Sequence, residues 1–232
     1  MGATHPMSGM EAFAPAEIAD LVEIRGVAKA NAPTVTTFVL GVLAGAFIGL
    51  GAVLSTTIAA GSALGYGPTR WLAGLGFSLG LILVVVAGAE LFTGNNLVVM
   101  SAISRHITAA QLLRNWAIVY VGNLVGAVSI VVMVYLGEWW KGGEGVVGAT
   151  ALGTAAAKTS LPFGVVFVRG ILANALVCLA VWLATGGRTV LDKIAAIIFP
   201  ISAFVAAGFE HSVANMYFIP EGILLQIGRA HV

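Results

Sequence analysis

Five apolar stretches, each of about 20 residues or more, divide this chain, and each is long enough to cross a bilayer as a helix. They run from Thr34 to Ala60, Trp71 to Met100, Leu112 to Leu136, Pro162 to Ala184 and Ile194 to Phe218. The second and fifth are interrupted by the same kind of polar break, Glu90-Leu-Phe-Thr-Gly-Asn95 and Glu210-His-Ser-Val-Ala-Asn215. Each break is Glu, four residues, Asn, and the two lie 120 residues apart (90 to 210, 95 to 215). Ionisable groups deep in an apolar segment are costly and mark permeation paths more often than packing choices. Matched breaks in two halves of a membrane protein point to a transport site between inverted repeats.

Composition strengthens the membrane reading. Hydrophobic residues make up 59% of the 232 and charged residues 9%, with a mean hydropathy of +1.00. No water-soluble domain of this length tolerates that balance. The first apolar span begins after a polar arm, too late for a cleavable signal peptide. A formal charge of +1 offers no basic field for nucleic acid. The single Cys178 excludes an internal disulfide and, lying mid-span, reads as a small core residue. Lys and Arg set the orientation. Arg25, Lys29, Arg105, Arg114, Arg188 and Lys193 fall on one side, and Arg70, Lys141 and Lys158 on the other. The excess places the N-terminus in the cytoplasm, and five spans then leave the C-terminus outside.

Residues 1–31 form a cytoplasmic arm whose stretch from Pro15 to Lys29 reads as an amphipathic helix. Ile18, Leu21, Val22 and Ala28 lie near one face, with Glu17, Asp20, Glu23, Arg25 and Lys29 on the other. Gly41, Gly45 and Gly49 recur every fourth residue, as do Gly122 and Gly126, which suits close helix packing. Gly76-Phe-Ser-Leu-Gly80 fits the pattern of a nucleophilic serine elbow. That elbow belongs on a strand-to-helix turn in a soluble sheet. Inside an apolar helix the two glycines are a packing face.

The breaks carry the chemistry. An interrupted membrane helix frees backbone groups that must be buried in protein or line a polar cavity, and half-helix N-termini attract anions. Thr93 supplies a hydroxyl, Gly94 allows unusual backbone angles, and His211 is the one histidine inside an apolar span. A carboxylate finds donors in Thr93 and His211, and a proton if the ring is charged. Glu90 and Glu210 would repel an anion, so they are expected to turn away from the pore and accept hydrogen bonds from the broken backbone.

The segments Ala89-Glu-Leu-Phe-Thr-Gly-Asn95, Leu113-Arg-Asn-Trp116, Gly122-Asn-Leu-Val-Gly-Ala127, Asn174 to Trp182 and Gly208-Phe-Glu-His-Ser-Val-Ala-Asn-Met216 resemble the formate/nitrite transporter family. The likeness runs from the N-terminal helix to about Gly222. It implies an all-α, aquaporin-like membrane fold of six spans in two inverted repeats, with broken second and fifth helices, assembled as a homopentamer in the bacterial inner membrane. It also implies roles. His211 is the central pore histidine, Thr93 its partner and Asn174 the pore-facing asparagine. Lys158 attracts anions at the outer vestibule, and Arg169 either joins it or snorkels to the interface. Phe77, Leu81, Leu91 and Phe204 narrow the pore, while Glu90, Gly94, Asn95, Glu210 and Asn215 hold the breaks.

The expected organisation is one transmembrane domain, with a first repeat over 34–136 and an incomplete second over 162–226. The family continues into a sixth span, which this chain lacks, so part of the pore wall and subunit interface is expected to be uncovered. Residues 227–232, Ile-Gly-Arg-Ala-His-Val, resemble a translated sequencing-adapter oligonucleotide and are expected to be non-native. The function implied is passage of a small monovalent anion, formate first, nitrite or hydrosulfide as alternatives, with proton coupling through His211. No cofactor or metal is called for. A neutral-solute aquaporin-like channel shares the architecture but should carry paired Asn-Pro-Ala signatures. The nearest approach here is Asn31-Ala-Pro33, outside the spans and in the wrong order.

Overall fold

In the computed structural model, which describes residues 11–229, the chain is all helical. The arm folds as α1, Pro15–Asn31, with Pro at its start and Glu17 in the first turn. Ile18, Val22, Gly26 and Ala30 are its buried residues, four apart, so Ala28 faces outward, contrary to the sequence expectation. The stripe lies against the segment that follows the first break, where a Cβ on Gly26 would collide with Ser101.

Helix α2, Thr34–Ala59, is followed by α3, Tyr66–Ala87, which begins five residues earlier than the apolar pattern predicted (66 against 71). After the first break come a 3₁₀ turn, Asn95–Val98, and the short α4, Val99–Ile103. Helix α5, Ala109–Leu136, completes the first repeat, opened by a Thr108–Gln111 capping box. Outside the spans, α6 covers Val146–Thr159. The second repeat has α7, Phe163–Gly186, then α8, Val190–Ala207, then the second break and α9, Ser212–Arg229. Five of these helices are long and apolar enough to cross a membrane. Of the tail expected to be non-native, residues 227–229 continue α9 and 230–232 lie outside the described residues, as do residues 1–10 of the arm.

Glycine sets the tightest packing. Gly41 and Gly122 face each other between α2 and α5, and a Cβ on Gly126 or Gly45 would enter backbone of the opposite helix. Gly76 and Gly80 sit likewise against α2, and Ser78 between them donates to the Leu75 carbonyl at 2.5 Å. The serine motif is therefore a helix face. Helices α3 and α8 cross at the centre, with Gly74 against the Ser202 backbone. The repeats differ in cover. Helix α2 is packed by both α3 and α5, whereas among the described residues α7 packs mainly on α8. Phe163, Phe167 and Ile171 of α7 remain exposed.

Candidate functional site: two broken helices meeting at Thr93 and His211

Both half-helices end the same way. Gly88 closes α3 with φ 78° and Gly208 closes α8 with φ 75°, left-handed conformations that glycine adopts without penalty. The unusual angle expected at Gly94 is thus found at Gly88; Gly94 itself is ordinary right-handed helix, φ −74°.

The backbone freed at the first break is clamped by Asn123, a buried amide within the apolar α5. Its Nδ2 donates to the carbonyls of Gly41 (2.8 Å) and Glu90 (2.9 Å), and its Oδ1 accepts from the Phe92 amide (2.9 Å). The Glu90 amide donates to the Leu40 carbonyl at 3.1 Å. Each of these backbone groups is thereby satisfied in a medium without water.

The glutamates do turn inward to the protein, yet their acceptor oxygens do not meet backbone. Glu90 accepts from Asn95 Nδ2 at 2.5 Å and pairs with Lys29 of α1 at 3.1 Å. Glu210 accepts from Asn215 Nδ2 at 2.9 Å and pairs with Lys158 of α6 at 2.8 Å. The reason is geometric. A Glu and an Asn five residues apart meet across the half-turn of the break, and a buried carboxylate needs a cation. Each break takes its lysine from a helix outside the spans, α1 for the first and α6 for the second. Asn115 extends the first cluster, accepting from Asn95 at 3.0 Å and donating to the Lys29 carbonyl at 3.2 Å. Burial pulls the Lys158 ammonium below the usual lysine range, opposed by the Glu210 carboxylate, with Arg70 and Arg169 adding to the lowering.

Between the breaks, Thr93 Oγ1 lies 2.9 Å from His211 Nε2, both side chains buried. The other ring nitrogen, Nδ1, accepts from the Ala214 amide at 3.0 Å, so the imidazole caps the start of α9. An N–H donor aimed at Nδ1 leaves that nitrogen bare. A neutral ring then carries its proton on Nε2, which donates to Thr93, and the threonine hydroxyl keeps its own proton for another acceptor.

Apolar rings close around this pair. Phe204 stacks on the imidazole at 5.6 Å, Phe77 meets Phe204 edge-on at 5.6 Å, and Phe77 stacks with Phe218 at 6.4 Å. Phe77, Phe204 and Phe218 line a small cavity on the α6 side that reaches His211, while Leu81 and Leu91 line a cavity of about 290 Å³ on the α1 side. The four predicted narrowing residues therefore divide two and two, and Phe218 joins them. Asn174 lines a groove along α7 with Thr93, His211 and Asn215. Its Oδ1 is buried without a partner and its Nδ2 is 3.6 Å from Cys178 Sγ. Cys178 is half-buried, with its thiol 3.6 Å from the Thr93 carbonyl; it borders the break and is not a core residue.

Sequence reasoning missed Lys29, Asn115, Asn123, Phe218 and Arg70 as site residues. Asn115 and Asn123 carried a signal, being the two asparagines of one apolar span and each inside a family-like motif. Lys29 carried none, because its partner lies 61 residues away.

The fold and the site define a multi-pass membrane protein of inverted-repeat, aquaporin-like architecture, with its polar centre where two interrupted helices meet. The formate/nitrite transporter family model matches residues 16–232. The formate channel FocA of Escherichia coli K12 is 43% identical over 213 residues, 91% of this chain and 75% of that protein. A probable formate transporter of Methanothermobacter thermautotrophicus is 41% identical over 228 residues, covering 91% of this chain and 83% of that protein. Among solved structures, a pentameric formate channel with formate bound superposes with a TM-score of 0.78 at 36% identity, covering 84% of this chain and 76% of that one. The chain belongs to the formate/nitrite transporter family.

Proposed function

We propose that this protein conducts small monovalent anions across the bacterial inner membrane, with formate as the preferred permeant. It works as a homopentamer whose N-termini lie in the cytoplasm. The observation that carries this reading is the Thr93–His211 pair, buried between an inner and an outer cavity and flanked by apolar rings. Relatives named formate channels and a solved pentamer with formate bound support the choice of permeant.

Cations gather at both mouths, Arg25, Lys29 and Lys193 within and Arg70, Lys158 and Arg169 without. They raise the local anion concentration. The apolar rings remove water from the anion, and the Thr93 hydroxyl donates to a carboxylate oxygen in its place. Lys29 and Lys158 brace the breaks. Proton coupling enters when the arriving negative charge draws a proton onto His211 Nδ1, at the expense of the Ala214 contact. The Nε2 proton then passes to the Thr93 hydroxyl as that hydroxyl gives its own to the anion, and the neutral ring, left with its proton on Nδ1, must shed it and regain one on Nε2 to restore the Ala214 contact.

Formate flux into proteoliposomes, measured against pH for wild type and His211→Phe, tests this. Flux should rise on the acid side in wild type and lose that rise in the variant. Equal pH dependence in both would discard the proton step, and absence of formate flux in wild type would discard the function.

A further inference from the structure

The outer mouth holds more positive charge than its carboxylate can balance. Arg70, Lys158 and Arg169 line one cavity of about 440 Å³, and Glu210 is the one carboxylate among its lining residues. That carboxylate is taken by Lys158, 2.8 Å away, whose side chain is itself 15% exposed. Neither arginine pairs with a carboxylate among the described residues. Lys158 is therefore largely neutralised where it sits, and the uncompensated charge belongs to the arginines.

Arg70 differs from Arg169 in two respects. It lines the wide cavity and also the narrower one beneath it, which ends on Phe204, Phe218 and His211. Arg169 lines the wide cavity alone. Arg70 is also held in place, since its Nη2 donates to the Val205 carbonyl near the end of α8. Its Nε is buried with no partner. One of the five guanidinium N–H donors is thus used, and the others have no protein acceptor among the described residues. Thr150 and Thr154 of α6 line both cavities beside it.

We propose that Arg70 is the anion-binding station of the outer mouth, and that it favours planar anions with two oxygens, carboxylate or nitrite, over round ones such as hydrosulfide or chloride. This rests on the anion-conducting reading above. A guanidinium is a flat, rigid fork whose parallel donors match two oxygens on one carbon or nitrogen, whereas an ammonium acts as a point charge. Anchoring to Val205 fixes the plane of the fork before the anion arrives, which lowers the ordering cost of binding. Lys158 holds the second break, and Arg70 receives the permeant one step before the aromatic narrowing.

The test measures half-saturating concentrations for inward formate and hydrosulfide flux in proteoliposomes. Arg70→Gln should raise the formate value by about tenfold, the loss of one charge-assisted bidentate contact, and move the hydrosulfide value less than threefold. Arg70→Lys keeps the charge and a donor to Val205 but lacks the fork. It should bring the two anions to within about twofold of each other. Monodisperse elution from a sizing column confirms that each variant folds; if Arg70→Gln does not, Arg70→Lys decides alone. An unchanged formate-to-hydrosulfide ratio in Arg70→Lys would overturn the proposal while leaving anion conduction intact. Wild type that passes neither anion would remove the conduction reading itself, and the station with it.

Discussion

Lys29 of the arm and Glu90 of the first break are ion-paired, Nζ 3.1 Å from Oε1, although one lies on a surface helix and the other within a membrane span. The same Nζ lies 2.7 Å from Asn95 Oδ1, so one ammonium closes both ends of the Glu-x4-Asn break. Lys158 makes the equivalent contact with Glu210 in the second repeat. The arm and α6, helices of 17 and 14 residues that each precede the first span of a repeat, thus do the same electrostatic job.

Removing one partner of such a pair leaves a buried charge uncompensated, while removing both does not. Lys29→Met should destabilise the protein by about 1–3 kcal/mol, below the cost for a fully buried pair because the Lys29 side chain is 32% exposed. Glu90→Gln should cost less, since Asn95 retains a neutral acceptor. The double variant should recover most of the Lys29→Met loss. Thermal unfolding in detergent reads this cycle, and additive losses would show that the pair is not coupled.

Asn123 offers a sharper case. Truncation to Ala strands the Phe92 amide and weakens acceptance at the Gly41 and Glu90 carbonyls, all in the bundle interior. Each buried backbone group left unpaired costs about 1–3 kcal/mol. Asn123→Ala should therefore lower the yield of monodisperse protein far more than Val121→Ala, two residues away on an exposed face. Comparable yields would mean that water or a shifted backbone replaces the clamp.

The fold was legible because membrane helices announce themselves by length and apolar content, and the two breaks by a repeated Glu-x4-Asn. The Thr93–His211 meeting was legible through the family motif. Less could be read where partners come from elsewhere in the chain. Nothing near Lys29 or Lys158 names a glutamate 61 or 52 residues away. The left-handed residue was assigned to Gly94 because it sits inside the polar motif; the helix ends six residues earlier, at Gly88, where the backbone must turn before the motif completes itself. The role of Arg70 was hidden for the same reason as that of Lys158, because charge balance is a property of a cavity and not of a segment.

Glycine spacing gives a paired prediction. Gly126→Ala puts a methyl into the Val42 carbonyl of α2, where neither backbone can yield without separating the helices. Overpacking of this kind costs about 1–3 kcal/mol or more. Gly153→Ala on α6 meets nothing within 4 Å and should be neutral or gain up to about 1 kcal/mol from helix propensity. The two melting temperatures should move in opposite directions from wild type, or Gly126 alone should move. Equal shifts would show that the α2–α5 contact is looser than drawn.

Lys158 predicts an alkaline limb. Burial lowers its pKa against the pull of Glu210, so it loses its proton at a lower pH than an exposed lysine does. Positive charge at the proposed outer mouth then falls, and formate entry should slow as pH rises through that lowered range. Stability should not fall with it. Between the lowered and the ordinary lysine value the folded state binds fewer protons than the unfolded chain, so folding is favoured by rising pH across that window. Lys158→Arg, which stays charged, should push the flux limb to higher pH. A limb unmoved in Lys158→Arg would assign the effect to another group.

Thr93 allows the direction of its hydrogen bond with His211 to be read. With the Ala214 amide donating to Nδ1, the neutral His211 ring donates from Nε2 to Thr93 Oγ1. Thr93→Ser keeps both the acceptor and the hydroxyl proton and should hold formate flux within about threefold of wild type. Thr93→Val removes both. The Nε2 proton then faces a methyl group in a closed, apolar site, and a permeating carboxylate loses its donor. Flux should fall by about tenfold to a hundredfold, on the scale of losing one or two hydrogen bonds to a charged group at about 1.5 kcal/mol or more each. Nitrogen-15 NMR of labelled histidine gives the second readout, since the tautomer with its proton on Nε2 has a distinct shift pattern. If His211 carries its proton on Nδ1 in wild type, the Ala214 amide has no acceptor in the ring, and the threonine is donor to the ring rather than to the anion.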